Sequence, residues 1–168
     1  IDMLRAARAD YIVIGGFAAS AVGEPRATLD IDIDIRFSGD AERLLDVAIR
    51  AGFHVDRARC VTGLRERGAF RVSVEKVIVD VLAASTPLEE SAFARRNKVR
   101  VFGRTVFVPT PEDIILLKAV PGRHRDISDI EGIVRRHGAR LDRRYLLDWA
   151  RRLSDEAEDG RILRTVTE

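Results

Sequence analysis

Apolar and polar residues alternate in short blocks along this chain, and their periods predict most of its elements. YIVIG (Tyr11 to Gly15) is an apolar run stopped by glycine and reads as a buried strand. Phe17 to Val22 is small and apolar and reads as a helix opening at Gly15-Gly16. Gly23-Glu24-Pro25 is a loop. Asp30 to Phe37 alternates acid with isoleucine at period two, a strand pattern. Ser38 or Asp40 then caps an amphipathic helix with Ala41, Leu44, Leu45, Ala48 and Ile49 on one face, ended by Gly52. Phe53 to Asp56 reads as a short strand. Ala69 to Val74 and Val77 to Ala83 read as two more, turning at Glu75-Lys76. Leu88 to Arg96 is helical, and Val99 to Phe102 with Thr105 to Val108 forms a hairpin about Gly103-Arg104. Thr110-Pro111-Glu112-Asp113 has a cap, a proline at the first helical position and acids in the first turn. That helix carries Ile114, Ile115, Leu117 and Lys118. Arg125 to His137 and Arg143 to Leu153 are further helices. The expected fold class is mixed α+β, with a twisted sheet and its helices over residues 1–109 and a C-terminal helical part over residues 110–168.

The acidic strand poses a chemical problem. Asp30, Asp32 and Asp34 point to one side of it, where like charges repel, and aspartate is a poor strand former. Asp80 raises the same problem: it interrupts VIVDVLAA, where a lone buried charge is costly without a partner. Arginine partners would make these carboxylates structural. A hard divalent cation would make them a site, because Mg²⁺ takes carboxylate, water and phosphate oxygens in octahedral geometry. Asp30, Asp32 and Asp80 are therefore a candidate metal triad, and a register slip to Asp32 and Asp34 stays open. Ahead of them, Gly15 and Gly16 form a turn at a helix start, which presents backbone N–H groups to an anion. A bare glycine pair is as readily a tight strand-to-helix turn.

Composition adds bounds. The chain has 168 residues, of which 46% are hydrophobic and 33% charged, as in a globular protein. No apolar run approaches about 18 residues, so no membrane span is expected, and no signal peptide pattern is visible. The single cysteine, Cys60, excludes an internal disulfide and a cysteine-rich zinc site, which fits a reducing cytoplasm. His54, His124 and His137 lack metal-ligand spacing, and Trp149 with Leu146 and Leu147 reads as helix packing. From Pro121 to Arg152 nine arginines face five acids. Such a region grips polyanions or is a solvated helical surface.

Taken together, the glycine pair, thirteen residues, DID and a later lone strand aspartate resemble the DNA-polymerase-β-like nucleotidyltransferase superfamily. Within it, YIVIGGFAAS and GEPRATLDIDI resemble the small bacterial proteins related to AbiEii toxins of type IV toxin–antitoxin systems. TPEDIILLKAVPGRHRDISDI continues that likeness, which spans Tyr11 to Ile130. The resemblance implies the nucleotidyltransferase fold and an enzyme moving an NMP from an NTP to a hydroxyl on RNA (a tRNA end), a protein or a small molecule. It implies Mg²⁺ (or Mn²⁺) on Asp30, Asp32 and Asp80, with Asp80 also helping to deprotonate the acceptor. Gly15, Gly16, Arg26, Thr28, Lys118 and Arg123 would serve nucleotide binding. Arg26 would contact phosphate or tie its loop to the acidic strand. Lys118 would touch phosphate or stabilise the helical part. Arg123 and Arg125 read equally as surface, and Asp126 and Asp129 match later acids of the family. An antitoxin partner is implied by the same likeness, and homo-oligomerisation stays open. The alternative is a non-catalytic nucleotide-binding or protein-interaction module on the same scaffold.

Overall fold

The computed structural model describes residues 1–36, 41–101 and 103–167. Helix α1 (Asp2–Ala6) leads into β1 (Asp10–Ile14), where Tyr11, Ile12 and Val13 are buried. Helix α2 (Gly15–Val22) starts at the glycine pair, and β2 (Asp30–Arg36) is the acidic strand. Helices α3 (Ala41–Arg50) and α4 (Arg57–Arg67) precede β3 (Ala69–Val74) and β4 (Val77–Ala83). Helix α5 (Pro87–Arg95) is followed by the hairpin β5 (Asn97–Val101) and β6 (Arg104–Val108). The rest is helical: α6 (Pro111–Ala119), α7 (His124–His137), α8 (Arg143–Ala157) and α9 (Gly160–Thr167).

The main sheet has the order β1-β2-β4-β3, so the acidic strand is central. It pairs antiparallel with β1 and parallel with β4, while β3 pairs antiparallel with β4. The parallel pair needs a long crossover, which α3, α4 and β3 supply. Register puts Ile33, Ile35, Val79, Val81, Phe70 and Val72 on one face, all buried in one cluster with Leu44, Leu45 and Ala48 of α3. That face anchors the sheet, and the acids take the opposite one. The sheet is mixed and flanked by helices, as the sequence predicts.

Two local readings are corrected. Phe53 to Asp56 forms no strand beyond a single bridge from His54 to Ser73. Ile49 is not on the buried face of α3 but exposed. Helices α4 and α9 were not legible. RARCVTGLRER is mostly polar and buries only Cys60 and Gly63; its helix is set by the Asp56 cap, which accepts from the Arg59 N–H, and by Gly68 at φ +64°. The expected cap at Ser38 or Asp40, the Ala41 side chain, Phe37 and Phe102 lie outside the described residues.

The helical part is joined to the sheet half by buried polar contacts. Thr110 caps α6, accepting from the Asp113 N–H, and also donates to the buried Asp113 carboxylate at 2.8 Å. Tyr145 donates to the same carboxylate, Arg95 adds an ion pair at 3.3 Å, and the Arg95 guanidinium lies 3.7 Å from the Tyr145 ring centroid. Burial and the Asp113 charge push the Tyr145 hydroxyl up to about 12, so it remains a donor throughout the neutral range. Among the described residues, no helix is long and apolar enough to cross a membrane.

Candidate active site

The period-two acids of β2 descend from solvent into the core. Asp30 is exposed, Asp32 half-buried and Asp34 fully buried. Register sets their neighbours. Ile14, Asp32, Asp80 and Arg71 form one row across all four strands. The next row places Asp34 between Ile12 and Leu82. Asp30 pairs with Ile78, one pleat further out on the same face. The structure thus brings Asp32 and Asp80 together, with Asp30 beside them.

Each acid has a different environment. Asp30 accepts a hydrogen bond from the Thr28 hydroxyl at 2.9 Å. Asp80 is held by Arg71, whose Nε and Nη2 donate to its two oxygens at 2.7 and 2.8 Å. Arg71 is 65% exposed, so this guanidinium covers Asp80 from the solvent side rather than sealing it inside. Burial, then Asp30 and Asp80, push the Asp32 carboxyl up, and Lys118 and the Gly16 N–H pull the other way. Among the described residues, Asp34 has no hydrogen-bond partner on either oxygen, and burial, then Glu89 and Asp32, raise it to about 7.

The glycine pair is shaped by this cluster. A Cβ at Gly15, which has φ +65°, would lie 1.9 Å from Asp32 Oδ2. A Cβ at Gly16 would lie 2.9 Å from Arg26 Nη2 and 3.2 Å from Thr28 Oγ1. The bare turn therefore admits the Asp32 carboxylate to the start of α2.

Arg26 does not reach the acidic strand. Its Nε and Nη2 donate to the buried Asp129 at 2.6 and 2.9 Å, tying the loop after α2 to α7. Lys118 bridges Asp126 at 2.9 Å and Asp129 at 3.0 Å, and Asp126 also accepts from the Arg123 N–H. These partners hold Asp129 below the usual carboxylate range against its burial. Removing Lys118 leaves Asp126 with one backbone donor among the described residues. Lys118→Met is therefore expected to cost about 3 kcal/mol in urea unfolding, and a loss under 1 kcal/mol would show that the bridge is not structural.

Two clefts meet at Asp32. One, of about 500 Å³, is lined by Gly15, Asp32, Lys118, Arg123, Asp126 and Trp149, among others, and lies between the sheet and the helical part. The other, of about 630 Å³, is lined by Asp32, Asp80, Arg59, Arg67 and Arg71. Arg26, Thr28 and Asp30 line a third hollow beside α2. Arg71 was not singled out in the sequence: AFRVSV places it on the polar face of β3, but only register shows that it meets Asp80. None of the three histidines lies in the acid row; His137 is bonded to the Val22 carbonyl at 2.9 Å.

Among the described residues, no three His, Cys, Asp or Glu side chains form a ready-made ion cage, since Asp80 faces Arg71 and Asp30 faces Thr28. The donor set still suits a hard cation. It is all carboxylate oxygen, and burial, then the charges of Asp30 and Asp80, disfavour the Asp32 carboxylate, an effect that a bound cation would oppose.

No family model matches the chain, and no curated protein matches it in sequence. Solved structures do. The antibiotic-resistance factor ANT(2'')-Ia matches in its solution structure with TM-score 0.65 and 14% identity, over 94% of this chain and 90% of that one. Its crystal structure in complex with adenylyl-2''-tobramycin gives the same TM-score and identity over 93% of each chain. The lincosamide antibiotic adenylyltransferase LnuA, with lincomycin bound, matches with TM-score 0.53 and 13% identity over 79% of this chain and 90% of that one. A nucleotidyltransferase-like antigenic protein from Paracoccidioides brasiliensis matches with TM-score 0.50 and 16% identity over 99% and 88%. At these identities the likeness is one of architecture, and the chain has the nucleotidyltransferase fold.

Proposed function

We propose that this protein is a metal-dependent nucleotidyltransferase that moves an NMP from an NTP to an acceptor hydroxyl and releases pyrophosphate. The observation that carries the reading is the Asp32–Asp80 row, with Asp30 beside it, opening onto two clefts at the start of α2. Asp30, Asp32 and Asp80 would hold Mg²⁺ or Mn²⁺, which when bound neutralises phosphate charge and makes the acceptor hydroxyl easier to deprotonate. The residues of the chain do the positioning. Gly15 leaves room for the Asp32 carboxylate. Arg123 offers the cleft beside Asp32 an exposed cation, and Lys118, bridging Asp126 and Asp129, holds the helical wall of that cleft in place. The second cleft brings an acceptor to the Asp80 side. RNA, protein and small hydroxyl compounds are the acceptor classes, and a toxin role with an antitoxin partner rests on the AbiEii-type resemblance. Incubation with labelled NTPs and Mg²⁺ against RNA, protein and small hydroxyl acceptors tests the reading. Label on none of them, with NTP binding intact, would favour a binding module.

That second reading has its own observation: Arg71 doubly occupies Asp80. A cation and this guanidinium compete for the same oxygens. Arg71→Met is therefore expected to tighten Mn²⁺ binding several-fold, measured by electron paramagnetic resonance on the free ion. Unchanged affinity would mean that Asp80 is a structural partner of Arg71 and no ligand.

A further inference from the structure

The cleft between the sheet and the helical part has one feature that phosphate and metal binding leave unused. Trp149, on α8, lines it together with Gly15, Asp32, Lys118 and Arg123. The indole is half-buried, packed in part on the core, yet it forms cleft wall. Its ring neighbours are Tyr145, at 6.3 Å and tilted by 59°, and the exposed Arg152 guanidinium at 5.6 Å. Leu117 and Leu153 extend the apolar wall. The exposed Arg123 is in no ion pair among the described residues.

The cleft lining combines the acids Asp32, Glu89, Asp126 and Glu156, the cations Lys118 and Arg123, and a flat aromatic surface with aliphatic neighbours. Its volume of about 500 Å³ suits a small ligand. A nucleoside triphosphate offers a partner to each: anionic phosphates for the exposed Arg123 and for an ion held at Asp32, and a flat base for the aromatic face. Packing alone would be served by leucine. We propose that Trp149 is the nucleobase platform of the donor subsite, which leaves the cleft with Arg59, Arg67 and Arg71 to the acceptor. This deepens the transferase reading and rests on it.

Trp149 is the single tryptophan of the chain, so its fluorescence reports the contact directly. The full chain is titrated with Mg²⁺ and each of the four NTPs, excited at the red edge of the indole band, with calorimetry in parallel. Inorganic tripolyphosphate with Mg²⁺ is the control lacking a base. Saturable quenching by at least one NTP and none by tripolyphosphate is expected. Trp149→Ala should weaken that NTP by roughly 10- to 100-fold, and Trp149→Phe by only a few-fold, as stacking platforms do. Calorimetric NTP binding without quenching, or equal affinity in Trp149→Ala, overturns the platform and leaves the transferase reading standing. If no NTP binds at all, both fall. The fluorescence arm uses the unaltered protein, so the test survives a variant that fails to fold.

Discussion

Asp32→Asn is expected to lower nucleotidyl transfer on the order of 10³-fold, the scale of losing one aligned charge-stabilising group, while leaving the fold intact or firmer. The two halves of this expectation have one cause. Asp32 is half-buried, sits opposite Asp80 in register and lies one pleat from Asp30. Its carboxyl is pushed up by burial and by both neighbours, so its charge destabilises the isolated protein. Asparagine keeps the shape that fits against Gly15 and removes the repulsion. A site whose residues oppose folding is what an active-site role predicts, since stability is given up where function needs charge. A purely structural aspartate would show the reverse, with stability lost and labelling kept. The measurement is initial rate with labelled NTP beside a thermal melt in EDTA. Full activity in Asp32→Asn would remove it from the catalytic assignment, and the transfer reading would have to rest on Asp30 and Asp80.

Asp34 should dominate the pH dependence of stability. It is completely buried, neither oxygen has a hydrogen-bond partner among the described residues, and its pKa is raised to about 7 by burial, then by Glu89 and Asp32. The unfolded chain titrates near 3.9. The folded state therefore binds more protons than the unfolded state between these values. Stability from this group is fully present below about pH 4 and drains away as pH rises to about 7, after which the deficit is constant. Each unit between the folded and unfolded pKa is worth about 1.4 kcal/mol, so the loss sums to about 4 kcal/mol. Asp32, also raised, runs the same way, whereas Asp129, lowered by Arg26 and Lys118 against its burial, runs oppositely and favours the fold as pH rises. The clean quantity is the difference between wild type and Asp34→Asn, from urea unfolding between pH 5 and 9 in EDTA. Asp34→Asn should gain on wild type as pH rises to about 7. A pH-independent difference would mean that Asp34 keeps an ordinary pKa, with water reaching its carboxylate.

Why three acids tolerate one strand is answered by depth, and depth was not in the sequence. Period two put Asp30, Asp32 and Asp34 on one face, and that much is backbone geometry. It did not show that the strand runs from solvent into the core, so that the same side chain is a hydrogen-bonded surface group, a half-buried site group and an orphaned buried acid in turn. Likewise the lone aspartate in VIVDVLAA signalled a needed partner. The partner, Arg71, emerged only when β3 paired with β4 and put it opposite Asp80.

Local periodicity and capping chemistry determined most of the elements and the mixed class, because they depend on residues within a turn or two of one another. Thr110-Pro111, the Gly15 turn and the apolar runs of β1, β3 and β4 were legible for that reason. Helix α4 was not, since its polar sequence is held by a cap and by packing on β3. Only the tertiary structure decided the acid row, the two clefts meeting at Asp32, the grip of Arg26 and Lys118 on α7, and the place of Trp149 in a cleft wall. Each depends on strand register or on helix docking between residues far apart in the chain, and neither leaves a local trace.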